Sequence, residues 1–401
     1  MYIHRLAEDR ISLWMRGSKI LLLLGARQVG KTTLLKHCLA ATPGVVFLNF
    51  DVQIDQQRFL SAASLPPDQA MQALDNPSIL VIDEAQRLPQ CASVIKGWYD
   101  SEVSTRFALL GSSSLDLVSQ AAEALTGRNI KIHLAPFLWE EALITQPWYT
   151  PSLPARAMAL NFSDALKANL LQRISFGSYP EAVVGDNKRE YVRNLSADYL
   201  LKDILQIGSI RSPDTIRSLL QLLAHQVGNE VSVNELSQRL HTSRATIDRY
   251  LELLERTFVL FHLPSFSSNQ RNEISKSKKY YFVDTGIRNA LLNAFSTDDV
   301  RPDIGPLWEN WVIAEVFKRN LLEEQPLDLF FWRTKRQSEV DLVVKAEGQL
   351  RAFEIKWAPR KRPTKAFTQR YGVPVETLSP ENPFVAQHVF DRSGNGGLNG
   401  T

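Results

Sequence analysis

The sequence predicts a multidomain α/β protein built around a parallel sheet. Three observations carry that expectation. The apolar run Ile20–Leu24 leads into Gly25-Ala-Arg-Gln-Val-Gly-Lys-Thr32, a glycine-rich phosphate loop followed by a helical pattern. Further along, a second apolar run, Ile79–Ile82, ends in two carboxylates, Asp83 and Glu84. Towards the other end, the alternating segments Glu339–Val344 and Leu350–Trp357 read as a hairpin with one charged face and one apolar face.

Each fixed position of the loop has a chemical task. Gly25 and Gly30 let the backbone turn so that its N–H groups converge on phosphate oxygens. Lys31 brings a point charge to the β- and γ-phosphates, and Thr32 offers a hydroxyl to Mg²⁺. The expected nucleotide-binding set is Gly25, Ala26, Arg27, Gln28, Val29, Gly30, Lys31, Thr32 and Thr33. A helix over Thr33–Ala40 would turn its positive end towards the phosphates.

The second run supports the first. A strand buried on both faces reads as a continuous apolar stretch. Ligands of open α/β sheets bind at the C-terminal ends of such strands. Asp83 is expected to hold Mg²⁺ through water, and Glu84 to orient or deprotonate the attacking water. A further strand, Phe107–Leu110, ends in Gly111-Ser112-Ser113-Ser114, where Ser113 is the candidate contact to the γ-phosphate or to that water. Arg128, beside Gly127, has two readings. It stabilises charge on a transferring phosphoryl group, in its own or a neighbour's site, or it holds a turn.

The 401 residues allow several domains, and 44% hydrophobic with 22% charged residues is an ordinary globular composition. A net charge of +3 permits nucleic-acid binding without arguing for it. Cys38 and Cys91 lack metal-ligand spacing and read as buried thiols of a reducing compartment. No signal-peptide pattern or apolar run of membrane-spanning length is present, so a cytoplasmic protein without a membrane partner is expected.

Strands are expected at Ile20–Leu24, Val45–Asp51, Ile79–Asp83, Phe107–Gly111 and Ile130–Leu134, within a nucleotide domain of residues 1–145. A helical lid follows over 146–214. Over 215–285 the pattern becomes helix, turn, helix and hairpin, which reads as a winged helix. Its second helix, Arg244–Arg256, is capped by Ser243 and buries Ile247, Leu251 and Leu254. Arg244, Thr246, Arg249 and Tyr250 would then face DNA, with Arg271, Lys276, Lys278 and Lys279 on the wing. A packing module is the other reading of this segment. Residues 286–390 form the last domain, and the glycine-rich stretch 391–401 is expected to be disordered.

In the hairpin, a four-residue loop over Ala346–Gln349 pairs Lys345 with Leu350 and sets Asp341 opposite Glu354 and Glu339 opposite Lys356. Glu339, Asp341, Glu354 and Lys356 then share one face, while Val340, Leu342, Val344, Phe353 and Ile355 share the other. Close carboxylates need a cation, and a divalent metal would supply it. Glu309, on a helix beginning near Gly305, is placed to join that second metal site. The D…E-x-K pattern resembles the restriction-endonuclease-like PD-(D/E)xK nuclease fold. Solvated cross-strand ion pairs are the alternative.

The order of these features along the chain resembles a family of prokaryotic AAA-type P-loop ATPases with a C-terminal domain of unknown function. The resemblance rests on Gly25–Thr32, Leu80–Gln86, Leu110–Ser114, Leu125–Arg128, Gly177–Glu181, Asp203–Ile204, Tyr281–Gly286, Gly305–Glu309, Asp341 and Glu354-Ile-Lys356. It implies ATP and Mg²⁺ binding, an ATPase core, a winged helix and a nuclease-like terminus. Three functions are therefore expected to compete: a Mg²⁺-dependent ATPase coupled to DNA; a nucleotide-gated switch on DNA or a protein partner; and a nuclease of mobile-element or defence biology. Homo-oligomers enter because AAA-type sites often borrow an arginine from a neighbour.

Overall fold

The apolar runs form parallel strands because they are buried on both faces. The computed structural model of the chain describes residues 2–111, 125–199, 212–267, 278–334, 338–358 and 364–391. The chain divides into two compact units, Met1–Ala135 with Arg256–Phe258, and Pro136–Glu255 with Val259–Thr401.

In the first unit the elements run α1 (Glu8–Met15), β1 (Ile20–Leu24), α2 (Lys31–Cys38), β2 (Val45–Asn49), α3 (Gln53–Ala63), α4 (Pro67–Ala73), β3 (Ile79–Asp83), α5 (Cys91–Asp100), β4 (Arg106–Gly111) and β5 (Asn129–His133). The five strands lie in the order β2-β3-β4-β1-β5, every pair parallel. Parallel neighbours require crossovers, and helices supply most of them. All of β1 is buried. Its Ile20, Leu22 and Leu24 pack with Leu48, Leu80, Ile82, Phe107 and Leu109 on one side of the sheet. Because the strands are parallel, Leu24, Asp83, Gly111 and His133 end at one edge. That common edge positions the nucleotide site.

The second unit begins with α6 (Trp139–Leu143), α7 (Ala155–Asn161), α8 (Ser163–Phe176), α9 (Pro180–Val184) and α10 (Lys188–Asn194). It continues with α11 (Pro213–His225), β6 (Glu230–Val231), α12 (Val233–Arg239), α13 (Arg244–Arg256), β7 (Leu260–Pro264) and β8 (Lys278–Phe282). These strands form an antiparallel sheet in the order β6-β8-β7. Then come α14 (Thr285–Leu292), α15 (Ile304–Asn320), β9 (Asp328–Arg333), β10 (Glu339–Ala346), β11 (Gln349–Ile355), α16 (Lys365–Tyr371), β12 (Val375–Leu378) and α17 (Val385–Phe390). The second sheet has the order β12-β11-β10-β9, with β11 and β12 parallel.

One apolar core runs through this unit. Trp139 and Leu170 from the helical region, Phe261 and Tyr281 from the three-stranded sheet, and Trp308, Phe331 and Phe353 from the C-terminal region all belong to it. From the segment expected as a winged helix, the residues in this core are Phe261, Leu263, Tyr281 and Val283, on or beside β7 and β8.

The hairpin keeps the expected register, with Lys345 opposite Leu350 and Leu342 opposite Phe353. Its loop is shorter than expected. Ala346 and Gln349 also pair, and Glu347 (φ 50°) and Gly348 (φ 83°) turn the chain by themselves. Two consecutive positive φ values match the right-handed twist of the strands. The expected apolar face needs one correction. The β9–β10 pairing shifts register between Val340 and Val343. A bulge adds one residue and breaks the alternation. Val340 therefore joins Val343, Ala352, Trp332 and Phe367 in a separate cluster, while Leu342, Val344, Phe353 and Ile355 enter the main core.

Candidate functional site

At the C-terminal edge of the parallel sheet, β1 runs directly into the phosphate loop. Gly25 has φ 155°, and a Cβ there would lie 2.0 Å from the Leu134 carbonyl oxygen. Only glycine fits that approach. Gly30 (φ 94°) precedes α2. Ala26 and Val29 are buried, Arg27 is half-buried, and Gln28 and Thr33 are exposed. Lys31 is buried and donates from Nζ to the carbonyls of Gly25 and Ala26, each at 2.9 Å. Its ammonium thus lies across the loop's own backbone. The helix expected from Thr33 starts at Lys31, so its first N–H groups belong to the loop.

Thr32 Oγ1 donates to Asp83 Oδ2 at 2.5 Å. The other oxygen, Asp83 Oδ1, accepts the Glu84 N–H at 2.9 Å. Glu84 sits in the left-handed region (φ 51°), and its carboxylate accepts from the Gln86 amide. A hydroxyl and a carboxylate in contact, at the mouth of a lysine-bearing loop, are hard oxygen donors that suit Mg²⁺.

One residue of this site carries no sequence motif. Arg5 is buried and donates to the carbonyls of Val29 at 2.9 Å and Ala135 at 2.8 Å. It ties the loop to the end of β5. A lone arginine ahead of α1 gives no signal, because its partners are backbone carbonyls remote in sequence.

Arg128 requires correction as a group acting within its own site. It precedes β5, whose Asn129 pairs with Ile20 at the start of β1. The loop follows the other end of β1. Five residues of strand separate the two by roughly 16 Å. The guanidinium instead makes a two-point contact with Asp100 at 2.6 and 3.1 Å. Ser113 lies outside the described residues, as do Asp203, Ile204 and the stretch 392–401.

In the second unit, Ser243 Oγ accepts the Thr246 N–H at 3.1 Å and so caps α13. Arg244 and Arg249 are exposed, and Thr246 is half-buried with its hydroxyl on Ser243. Tyr250 is a correction: it is 6% exposed and faces the core with Ile247, Leu251 and Leu254. Those positions are spaced i, i+3, i+4 and i+7, one stripe of a helix. On the wing, Arg271 and Lys276 lie outside the described residues, and Lys278 is exposed. Lys279 is also a correction, since its side chain is 1% exposed.

The expected second metal site does not assemble. Among the described residues no group of three or more His, Cys, Asp or Glu is arranged to hold a metal ion. Glu309 accepts from the Tyr281 hydroxyl at 2.7 Å and lies 3.3 Å from Lys279 Nζ. Glu339 contacts the same ammonium. Asp341 Oδ2 accepts from the Ile355 N–H at 2.7 Å and Lys356 Nζ at 2.9 Å. Glu354 accepts the Thr364 N–H at 2.6 Å. Protein donors thus occupy the carboxylates that a divalent ion would need. Burial pushes Glu309 up to about 7, partly offset by Lys279.

Three family models match the chain in succession. Residues 17–143 match one described as an AAA domain, 167–298 a domain of unknown function (DUF8612), and 304–387 another (DUF4143). An uncharacterized protein of Mycobacterium tuberculosis is 28% identical over 359 residues, covering 87% of this chain and 73% of the relative. One of Methanocaldococcus jannaschii is 26% identical over 372 residues, covering 87% and 78%. Among solved structures, the Walker-type ATPase of Pyrococcus abyssi aligns with a TM-score of 0.50 at 16% identity, over 73% of this chain and 96% of that one. The likeness is one of fold. The chain is a multidomain α/β protein whose five-stranded parallel sheet has the P-loop ATPase fold.

Proposed function

We propose that the chain binds and hydrolyses ATP with Mg²⁺ in its first unit, and that nucleotide state controls what the second unit binds. The observation that carries this reading is the Thr32–Asp83 contact beside Lys31 and the loop at the C-terminal edge of the sheet. Lys31 neutralises β- and γ-phosphate charge, while loop N–H groups and the start of α2 bind the oxygens. Thr32 would offer its hydroxyl to Mg²⁺ and Asp83 would hold the ion through water, and the ion would draw charge from the phosphate oxygens. Glu84 orients the attacking water and takes its proton. Arg5 keeps the loop against β5.

The test is ATP hydrolysis by wild type, Lys31→Ala and Glu84→Gln, each with and without duplex DNA. Loss of about 10²-fold or more in both variants is expected, the scale of general-base catalysis for Glu84 and of electrostatic stabilisation for Lys31. Unchanged turnover in Lys31→Ala would sink the proposal.

A second reading has specific support. The order α11-β6-α12-α13-β7-β8, with β8 between β6 and β7, favours a winged helix. Arg244 and Arg249 at its exposed face favour DNA. In that reading ATP gates DNA affinity and turnover is slow. Binding measured at fixed salt with and without ATP decides it, because phosphate contacts are salt-sensitive. A protein partner is the reading left if DNA affinity ignores both ATP and Arg249→Ala. Cleavage by Glu309, Asp341, Glu354 and Lys356 is not favoured, since lysines and backbone donors already satisfy the carboxylates.

Arg128 would act on a phosphoryl group in a neighbouring copy's site of a homo-oligomer, and otherwise holds its turn through Asp100. Burial pushes the Cys38 thiol up to about 11 and Cys91 higher still. Unpaired thiols of this kind fit a reducing cytoplasm. Among the described residues no helix is long and apolar enough to cross a membrane.

A further inference from the structure

The acidic cluster of the second unit contains its own cation. Lys279 and Tyr281 are two residues apart on β8 and so leave the strand on the same side. Lys279 Nζ lies 3.3 Å from Glu309 Oε1, touches the Glu339 carboxylate, and stands 5.5 Å from the centre of the Phe331 ring. Tyr281 donates to the same Glu309 oxygen. Glu309 comes from α15 and Glu339 from β10, so one ammonium joins three elements. Arg333 flanks Glu339 at 3.7 Å and reaches Glu230 at the same distance.

We propose that Lys279 is the resident cation of this cluster, supplying with an ammonium the charge that a divalent metal would otherwise bring. The second unit then binds no divalent metal through Glu309, Glu339 and Asp341, and the cluster serves to clamp β8 onto α15 and β10.

A buried ammonium is costly unless it is paired and hydrogen-bonded. Here two carboxylates and a ring face receive it. Leaving would strand a buried lysine and also leave Glu309 and Glu339 without their shared cation. Burial pushes Lys279 down, but Glu309 and Glu339 outweigh it and hold the ammonium above its usual range. The charge of Asp341 adds to the rise of both Lys279 and Glu309. Its own oxygen is taken by Lys356 and a backbone N–H.

The test is Mn²⁺ binding to the full chain without nucleotide, followed by electron paramagnetic resonance. Any Mn²⁺ held by the phosphate loop is common to all samples, so differences report the second unit. Wild type and Asp341→Asn are expected to bind equally. Lys279→Met is expected to gain a bound Mn²⁺, because Glu309 and Glu339 then lack the cation they share, and adding Asp341→Asn, which removes the neighbouring carboxylate charge, should reduce the gain. Lys279→Arg keeps the charge and should gain none. Wild-type Mn²⁺ that disappears with Asp341→Asn overturns the proposal, as does a folded Lys279→Met chain with no gain. If Lys279→Met fails to fold, the comparison of wild type with Asp341→Asn still decides.

Discussion

Arg5 and Tyr250 show how a single side chain can belong to a different part of the molecule from the one its neighbours in sequence suggest. Arg5 makes two charge-assisted hydrogen bonds, one to the phosphate loop and one to the end of β5. Arg5→Met should cost roughly 2–3 kcal/mol in denaturant unfolding, the scale of such bonds. It should also weaken nucleotide binding through the loosened loop. Tyr250 carries the opposite lesson. Its ring is in the core, so Tyr250→Ala should destabilise by about 3 kcal/mol, as large aromatic truncations do. DNA affinity per folded molecule should be unchanged, whereas Arg249→Ala should lower it if the winged-helix reading holds. A folded Tyr250→Ala chain with lost DNA affinity and full stability would restore the tyrosine to a contact surface.

At the scale of elements, the junction of α8 and α14 explains two motifs without chemistry. Gly177 ends α8 with φ 78°, and a Cβ there would lie 1.9 Å from Asp284 Oδ1. Asp284 accepts N–H bonds from Ser178 at 2.6 Å, Gly286 at 2.9 Å and Ile287 at 3.4 Å, so it caps α14 and binds the α8 terminus at once. The Gly177–Glu181 and Tyr281–Gly286 segments are therefore two halves of one packing joint. Gly177→Ala should cost more than about 4 kcal/mol, since the clash meets a buried carboxylate that cannot retreat. Thermal unfolding checks it. A shift of only a degree or two would mean that the joint yields.

At the scale of the whole molecule, the second unit should be stabler in mild acid than in mild base. Glu140 on α6 is buried, and its Oε2 has no partner among the described residues. Burial first, then the charge of Glu315, pushes it up to about 7, while Arg319 pulls it down and Glu141 adds to the rise. Lys318 is committed to Glu315 and to the Phe137 carbonyl. Burial raises Tyr149, and the charge of Glu140 raises it further. A carboxyl whose folded pKa exceeds its unfolded value holds its proton longer in the folded state. Its stabilisation is full below the ordinary value near 4.5 and is lost as pH rises towards 7. Glu309 is shifted in the same direction. Urea unfolding should show stability falling over that window by up to about 3 kcal/mol for Glu140. Glu140→Gln should flatten that part of the profile and raise stability at pH 8. An unchanged slope in that variant would assign the dependence elsewhere.

What the sequence by itself determined is local. The strand–loop–helix of the phosphate site, the positions of the five apolar strands and the hairpin register follow from side-chain period and turn chemistry. Each is set by residues close along the chain. Tertiary structure decided which faces are core and which charges meet. Period two says that Lys279 and Tyr281 share a side of β8, not that α15 and β10 close over that side. The stripe of α13 held Tyr250 in plain view, but exposure depends on what packs against it. Arg128 stands beside a glycine in sequence yet at the wrong end of β5, because strand order and direction fix where a residue lies. The D…E-x-K spacing was legible, and the cation shared by Glu309 and Glu339 beside it was not. A buried charge is neutralised by whichever partner the fold delivers, and here the fold delivers a lysine from a distant strand.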